Sequence, residues 1–388
     1  MKAALSFFLA LFTGILIAQK PITTVPFELF GDHIILEVSV DDSDPLSFIF
    51  DTGSGYTVLD SDVADRLDLP AKDIEMNATG TEWQLIKHNT LAVNDFLMEK
   101  NIKVYATDLN HLEISLGREL DGILGYDLLK HHSVYINFDK KEMSIYDHSG
   151  APTNGDPIPF ELNVSIPTIK GSVVLNNGET IAGDFFVMTG AGATLDFNTP
   201  FSTNNDIISK TGKHYSYYIK GVGQKENLHY EGHVESLKFG KQTIEDLPIG
   251  ISTSKSGIQG NEKVAGIIGS QVLRLYNMTI DYGTKMIYLT KDETYEPFFN
   301  VNCSGIDVQL STDKKKVLIH RVFENSPAKA AGIAVNAELI KINGKSMASI
   351  NLPEIKKTLR KDGENVQLVV KQNGEEREFN LDLKSLLN

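Results

Sequence analysis

Short apolar runs, each a few residues long and each closed by a turn signal, make up most of this chain. Ile34 to Val40 is rich in β-branched residues and partly alternating, and Asp41-Asp42-Ser43-Asp44-Pro45 ends it. Gly171 to Leu175 has the same texture, followed by the hairpin signal Asn176-Asn177-Gly178. Helical periodicity is confined to short pieces such as Ser61 to Leu67 and Asp127 to His131. Many short strands with turn punctuation predict closed or sandwiched β structure.

The pattern is written twice. Val25 to Leu29 recurs as Ile158 to Leu162, Phe48 to Leu59 (FIFDTGSGYTVL) as Phe185 to Leu195 (FFVMTGAGATL), and Asp121 to Leu129 (DGILGYDLL) as Ala265 to Leu273 (AGIIGSQVL). Each copy then runs into a similar strand, Val134 to Phe138 and Met278 to Tyr282. Three matches in the same order imply two homologous lobes, 23–150 and 151–298. After residue 298 the texture changes. A strand at Val317 to Val322, a capped short helix at Ser326 to Gly332 and a strand into a tight turn at Leu339 to Gly344 come first. An amphipathic helix at Leu352 to Leu359, with Pro at its start, and a hairpin around Asn373-Gly374 follow. This reads as a separate α+β domain, 299–388.

Bulk properties narrow the class. The chain has 388 residues, 41% hydrophobic and 23% charged, which suits a globular protein of two or three domains. The net charge of −14 argues against a nucleic-acid partner. Lys2, the apolar run Ala3 to Ile17 and the small residue Ala18 predict a signal peptide over 1–18. That run is short of the roughly 20 residues of a membrane span. We expect export to the periplasm, envelope or medium, with no stable membrane span after cleavage. Cys303 is the only cysteine, so no intramolecular disulfide exists, which fits a bacterial envelope. The sequons at Asn77, Asn163, Asn277 and Asn302 are short enough to arise by chance.

The chemistry centres on Asp51. Phe48-Ile49-Phe50-Asp51-Thr52-Gly53-Ser54-Gly55 sets a carboxylate straight after an apolar strand, with glycines that permit a sharp turn, and Ile123-Leu124-Gly125 is a later apolar-apolar-Gly element. Together these resemble the aspartic-protease family of pepsin and the retroviral proteases. The resemblance implies peptide-bond hydrolysis by two carboxylates that face each other and share one proton, one activating water and the other polarising the scissile carbonyl. It also implies that Thr52 and Thr189 brace the two loops, and that Ser54 hydrogen-bonds the carboxylate, a bond that Ala191, with no hydroxyl, cannot make in the second lobe. The second motif reads Met188-Thr189-Gly190-Ala191, so methionine stands where the second aspartate belongs. A thioether moves no proton. Asp184 and Asp196 are near, but neither occupies the motif position, and shifting register to recover either would break the Thr-Gly match. Three readings stay open: a pseudoprotease that binds peptides without cutting, a dimer that pairs two Asp51 residues, and weak activity through a neighbouring residue that substitutes.

Ser304-Gly305-Ile306 before a strand, then SPAKAAGI (Ser326 to Ile333) and LIKING (Leu339 to Gly344), resemble a bacterial-type PDZ domain. The resemblance implies that a polypeptide, or its C-terminus, adds as a strand. The loop Cys303-Ser304-Gly305-Ile306 would then capture the carboxylate, and Ile355 and Leu359 would form the helix wall. The alternative is a module that only packs against the lobes. No cofactor is expected. His131-His132 lacks a third ligand at useful spacing, so no metal site is expected either. Gly221-Val222-Gly223-Gln224 is a flap-tip candidate. The expectation is therefore an exported aspartyl-protease-family protein with a PDZ module and half a dyad, or else a non-catalytic peptide-binding scaffold.

Overall fold

The structure, a computed structural model, describes residues 20–76, 82–222, 226–299 and 301–387. The expected signal peptide, Asn77 and the Gly223-Gln224 half of the flap-tip candidate lie outside these residues.

The fold is mainly β. In the first lobe the strand Leu46–Phe50 runs parallel to Gly122–Leu124, and Gly122–Leu124 runs antiparallel to Thr57–Asp60. The second lobe repeats this with Thr180–Val187, Gly266–Ile268 and Leu195–Phe197. Each motif turn thus lies between two strands that the apolar-apolar-Gly segment bridges. The glycine closing that segment is forced by close approach: a Cβ on Gly125 would lie 1.9 Å from the Asp51 carbonyl oxygen, and one on Gly269 2.3 Å from that of Ala193. Each motif sits within an eight-stranded sheet, and a second contact between His33–Val40 and Glu82–Val93, or Ile166–Val174 and Glu226–Phe239, curls the sheet on itself.

A third, six-stranded sheet joins the lobes. His132–Asn137 of the first pairs with Tyr276–Asp281 of the second, with Val134 opposite Ile280. Strand His132–Asn137 begins directly behind helix Tyr126–Leu129, and this pairing ends the helix short of the His131 expected from sequence. One apolar core runs through both lobes and the joining sheet, with Phe48, Phe50, Phe185, Val134 and Ile280 fully buried within it. Burial of each such side chain stabilises by about 1.5–3 kcal/mol, so the lobes stand or fall together.

The last unit is an antiparallel sheet of Ile306–Leu310, Val317–Val322, Glu338–Ile342, Asn365–Gln372 and Glu375–Asp382. It has its own core, to which helix Leu352–Thr358 contributes Leu352 and Ile355. Pro at the second helical position and the Asn351 side chain, which accepts from the Glu354 N–H, start that helix. Among the described residues no helix is long and apolar enough to cross a membrane.

Candidate functional site

The two motif turns meet back to back at the lobe junction. The Thr52 N–H donates to Thr189 Oγ1 at 3.1 Å and the Thr189 N–H to Thr52 Oγ1 at 3.1 Å. The hydroxyls then cross over: Thr52 Oγ1 donates to the Val187 carbonyl (2.6 Å) and Thr189 Oγ1 to the Phe50 carbonyl (2.9 Å). Both threonines are buried, so this closed ring of four bonds fixes the turns against each other.

Above the ring the symmetry breaks. The Gly53 N–H donates to Asp51 Oδ1 at 2.7 Å, and so does the Gly190 N–H from the second lobe, at 2.9 Å. Gly53 is two residues past Asp51 and Gly190 two past Met188, so the lone carboxylate collects the donors of both turns. Met188 is 9% exposed and belongs to a small apolar cluster with Phe186, Val264 and Ile267. Its side chain lies over Gly53, where an added Cβ would come 2.2 Å from the Met188 methyl. The residues expected as the dyad positions are therefore brought face to face, one a carboxylate and the other a thioether.

Burial pushes the Asp51 carboxyl above its ordinary 3.8, and the two glycine N–H groups pull against that without cancelling it. A raised folded-state value means a contribution to stability that is complete below pH 3.8 and lost as pH rises through the folded value. Asp51→Asn is expected to remove this slope. Its melting temperature relative to wild type should rise between pH 4 and pH 8, and a constant difference would show that the carboxyl is not desolvated.

One expectation at the first turn needs correction. Ser54 Oγ donates to the Tyr56 carbonyl at 2.6 Å and not to Asp51, because the turn that brings the Ser54 N–H onto the Asp51 carbonyl directs the hydroxyl along the chain. The two acids that sequence places near the second motif are engaged elsewhere, Asp184 with Lys170 at 3.2 Å and Asp196 with Gln259 at 2.6 Å. The residue that sequence reasoning passed over is Tyr282. Its phenol is pushed up first by burial and next by the charge of Asp51. The signal was in the repeat, since Tyr282 directly follows strand Tyr276–Asp281 as Phe138 follows strand His132–Asn137 in the first lobe.

The PDZ residues also come together. Ser304 N–H donates to the Leu359 carbonyl at 3.1 Å, which ties the loop to the end of helix Leu352–Thr358, and Ile306, Ile355 and Leu359 share one core. The loop differs from expectation in its donors. Cys303 N–H also faces the Leu359 carbonyl, Gly305 N–H donates to Asn302 Oδ1 (2.7 Å) and Ile306 N–H to Ser304 Oγ (3.0 Å). All four amides are satisfied within the chain, so carboxylate capture requires this loop to rearrange. The unit is anchored to the lobes as well. Lys356 Nζ donates to the Ser115 carbonyl at 2.9 Å, Lys314 pairs with the buried Glu113, and Arg321 reaches Glu226 at 3.0 Å. At the flap-tip candidate, the Gly221 carbonyl meets His111 Nε2 of the first lobe at 2.9 Å.

Among the described residues no group of three or more His, Cys, Asp or Glu is placed to hold a metal ion.

Comparison with known proteins agrees with this architecture. Residues 36–128, which include Asp51, match the aspartyl protease family model, and residues 299–371 match the PDZ domain model. A probable CtpA-like serine protease of Staphylococcus haemolyticus is 33% identical over 99 residues, 24% of this chain and 20% of that protein. A carboxy-terminal processing protease, CtpB, of Bacillus subtilis is 28% identical over 101 residues, 25% of this chain and 21% of that protein. The chain thus spans about a fifth of the length of these curated relatives. It carries an aspartyl protease domain followed by a C-terminal PDZ domain.

Proposed function

We propose that this chain is an exported polypeptide-binding protein that keeps the cleft of an aspartic protease without its two-carboxylate hydrolysis. One observation carries the reading: Met188 faces Asp51 on an otherwise intact, threonine-braced junction, and both glycine N–H groups converge on the single carboxylate. Loss of an acid–base partner costs typically ~10²–10⁴ in rate. Asp51 can accept a proton from water or a hydrogen bond from a peptide N–H, but no second carboxyl stands opposite to polarise a carbonyl. Rescue by dimerisation is opposed by the fused second lobe, whose strand Tyr276–Asp281 already occupies the pairing edge of His132–Asn137. The PDZ domain supports a polypeptide as the ligand. Export rests on the first eighteen residues of the sequence, and the N-terminal sequence of the mature protein from an envelope fraction tests it.

The test of function pairs two measurements on purified protein. A mixed peptide library incubated at pH 3–7 should show no cleavage that Asp51→Ala abolishes, while capture of peptides should persist in that variant. Asp51-dependent cleavage by the wild type would defeat this reading and restore the protease.

A further inference from the structure

The strand registers of the two lobes can be laid over each other row by row. Residues directly opposite across paired strands share a face of the sheet. In the first lobe one such row runs Ile49, Ile123, Val58, Tyr105, Leu85. The matching row of the second lobe runs Phe186, Ile267, Asp196, Gly250, Glu231. Phe186 and Ile267 belong to the cluster of Met188, so this row starts beside the residue that faces Asp51. Where the first lobe sets Val58 in an apolar cluster, the second sets a carboxylate, and two strands further on a second carboxylate replaces Leu85.

Asp196 is only 7% exposed. Its Oδ2 accepts from Gln259 Nε2 at 2.6 Å. The same amide nitrogen lies 2.9 Å from His229 Nε2, and Gln259 Oε1 accepts from Ser252 Oγ. An amide nitrogen only donates, so His229 Nε2 is an acceptor here and brings no proton to Asp196, although it lies 3.4 Å from Oδ2. The other oxygen, Oδ1, is buried with no hydrogen-bond partner. It is aimed at Gly250, where a Cβ would come within 2.2 Å of it and 3.2 Å of the Tyr217 hydroxyl, so the glycine leaves room beside Oδ1 that only the tip of Tyr217 borders. A buried carboxylate oxygen without a partner is costly, and a cation with N–H donors relieves that cost. The chain itself supplies a guanidinium at the outer end of the row. Arg360, just past helix Leu352–Thr358 of the PDZ domain, lies among Glu231, Tyr215, Asp307 and Tyr217, whose influence outweighs the burial that works against its charge.

We propose that Asp196 and Glu231 form a subsite in the second-lobe wall of the cleft that takes a lysine or arginine side chain of a bound polypeptide, with Arg360 as its internal competitor. The inference rests on the cleft's being a polypeptide-binding site. The ligand's cation displaces Arg360 from Glu231 and its donors reach Asp196 Oδ1, so selectivity comes from the second lobe, while the first lobe reads apolar side chains.

The experiment pans a random dodecapeptide display library on the full chain and on its Arg360→Ala, Asp196→Asn and Glu231→Gln variants. An enriched sequence is then compared as its arginine and citrulline forms, which share shape but not charge. Wild type should enrich lysine or arginine at one position, and Arg360→Ala should bind the arginine form more tightly, by about tenfold. The arginine form should bind at least about tenfold better than the citrulline form on Arg360→Ala, with the ratio falling to about twofold on Asp196→Asn and to an intermediate value on Glu231→Gln. Melting temperatures identify a variant that fails to fold, in which case Glu231→Gln decides alone. Peptides enriched without a basic position, or an unchanged ratio in folded Asp196→Asn or Glu231→Gln, would overturn the subsite and leave polypeptide binding intact. No enrichment on any chain would overturn the polypeptide-binding reading itself.

Discussion

Met188→Asp is expected to create a peptidase, with cleavage rising at least ~10²-fold above wild type between pH 3 and 7. The junction is already prepared for it. The new carboxylate would stand two residues before Gly190, as Asp51 stands two before Gly53, so each could take its own turn's N–H where Asp51 now takes both. Aspartate is also shorter than methionine, and its introduction vacates the space the thioether fills over Gly53. Two carboxylates so close share one proton, which divides their titrations and supplies the acid and the base together. A quenched fluorescent peptide library read across pH, with Asp51→Asn in the same background as the control, measures the gain. A folded variant with no gain would mean that the cleft differs from a working protease by more than one side chain.

The second large effect is on stability. Thr189→Val removes the hydroxyl that donates to the Phe50 carbonyl and accepts from the Thr52 N–H, and leaves both backbone groups buried without it. Each orphaned group costs about 1–3 kcal/mol, so a loss of roughly 2–6 kcal/mol is expected. Thr52→Val should cost a similar amount through the Val187 carbonyl and the Thr189 N–H. The double variant should cost clearly less than the sum, because either change already opens the shared ring. Urea unfolding of the three variants gives the comparison, and strict additivity would show that the bonds do not act as a unit.

Much of the fold was legible because it depends on local pattern and on repetition. The apolar strand before Asp51, the Thr-Gly turn and Ile123-Leu124-Gly125 recur in the second lobe, and the paired geometry follows from that recurrence. The replacement of the second aspartate by Met188 was equally plain, since a motif position either carries a carboxylate or does not. Two details were hidden. Whether Ser54 turns toward Asp51 or along its own turn is a rotamer decided by the backbone around it. The loop Cys303 to Ile306 looked open to a carboxylate, yet Asn302 and Ser304 in the same stretch consume its donors.

The lane from Asp196 to Glu231 shows where the sequence alone stops. Counted from the motif position, Asp196 stands eight residues past Met188 as Leu59, an ordinary core residue, stands eight past Asp51. In the sheet it lies opposite Ile267, while Val58 lies opposite Ile123, so the second copy has slipped by one residue past the turn. A one-residue change reverses the face on which a strand side chain stands. By itself, then, the sequence determined two lobes, a PDZ domain and a single framed carboxylate, because periodicity and motif spacing are local properties. Only the tertiary structure decided that both turns donate to Asp51, that Met188 closes the space opposite it, and that acids from separate strands share one face. Those facts depend on pairing register and on contacts between segments over a hundred residues apart, which no local pattern encodes.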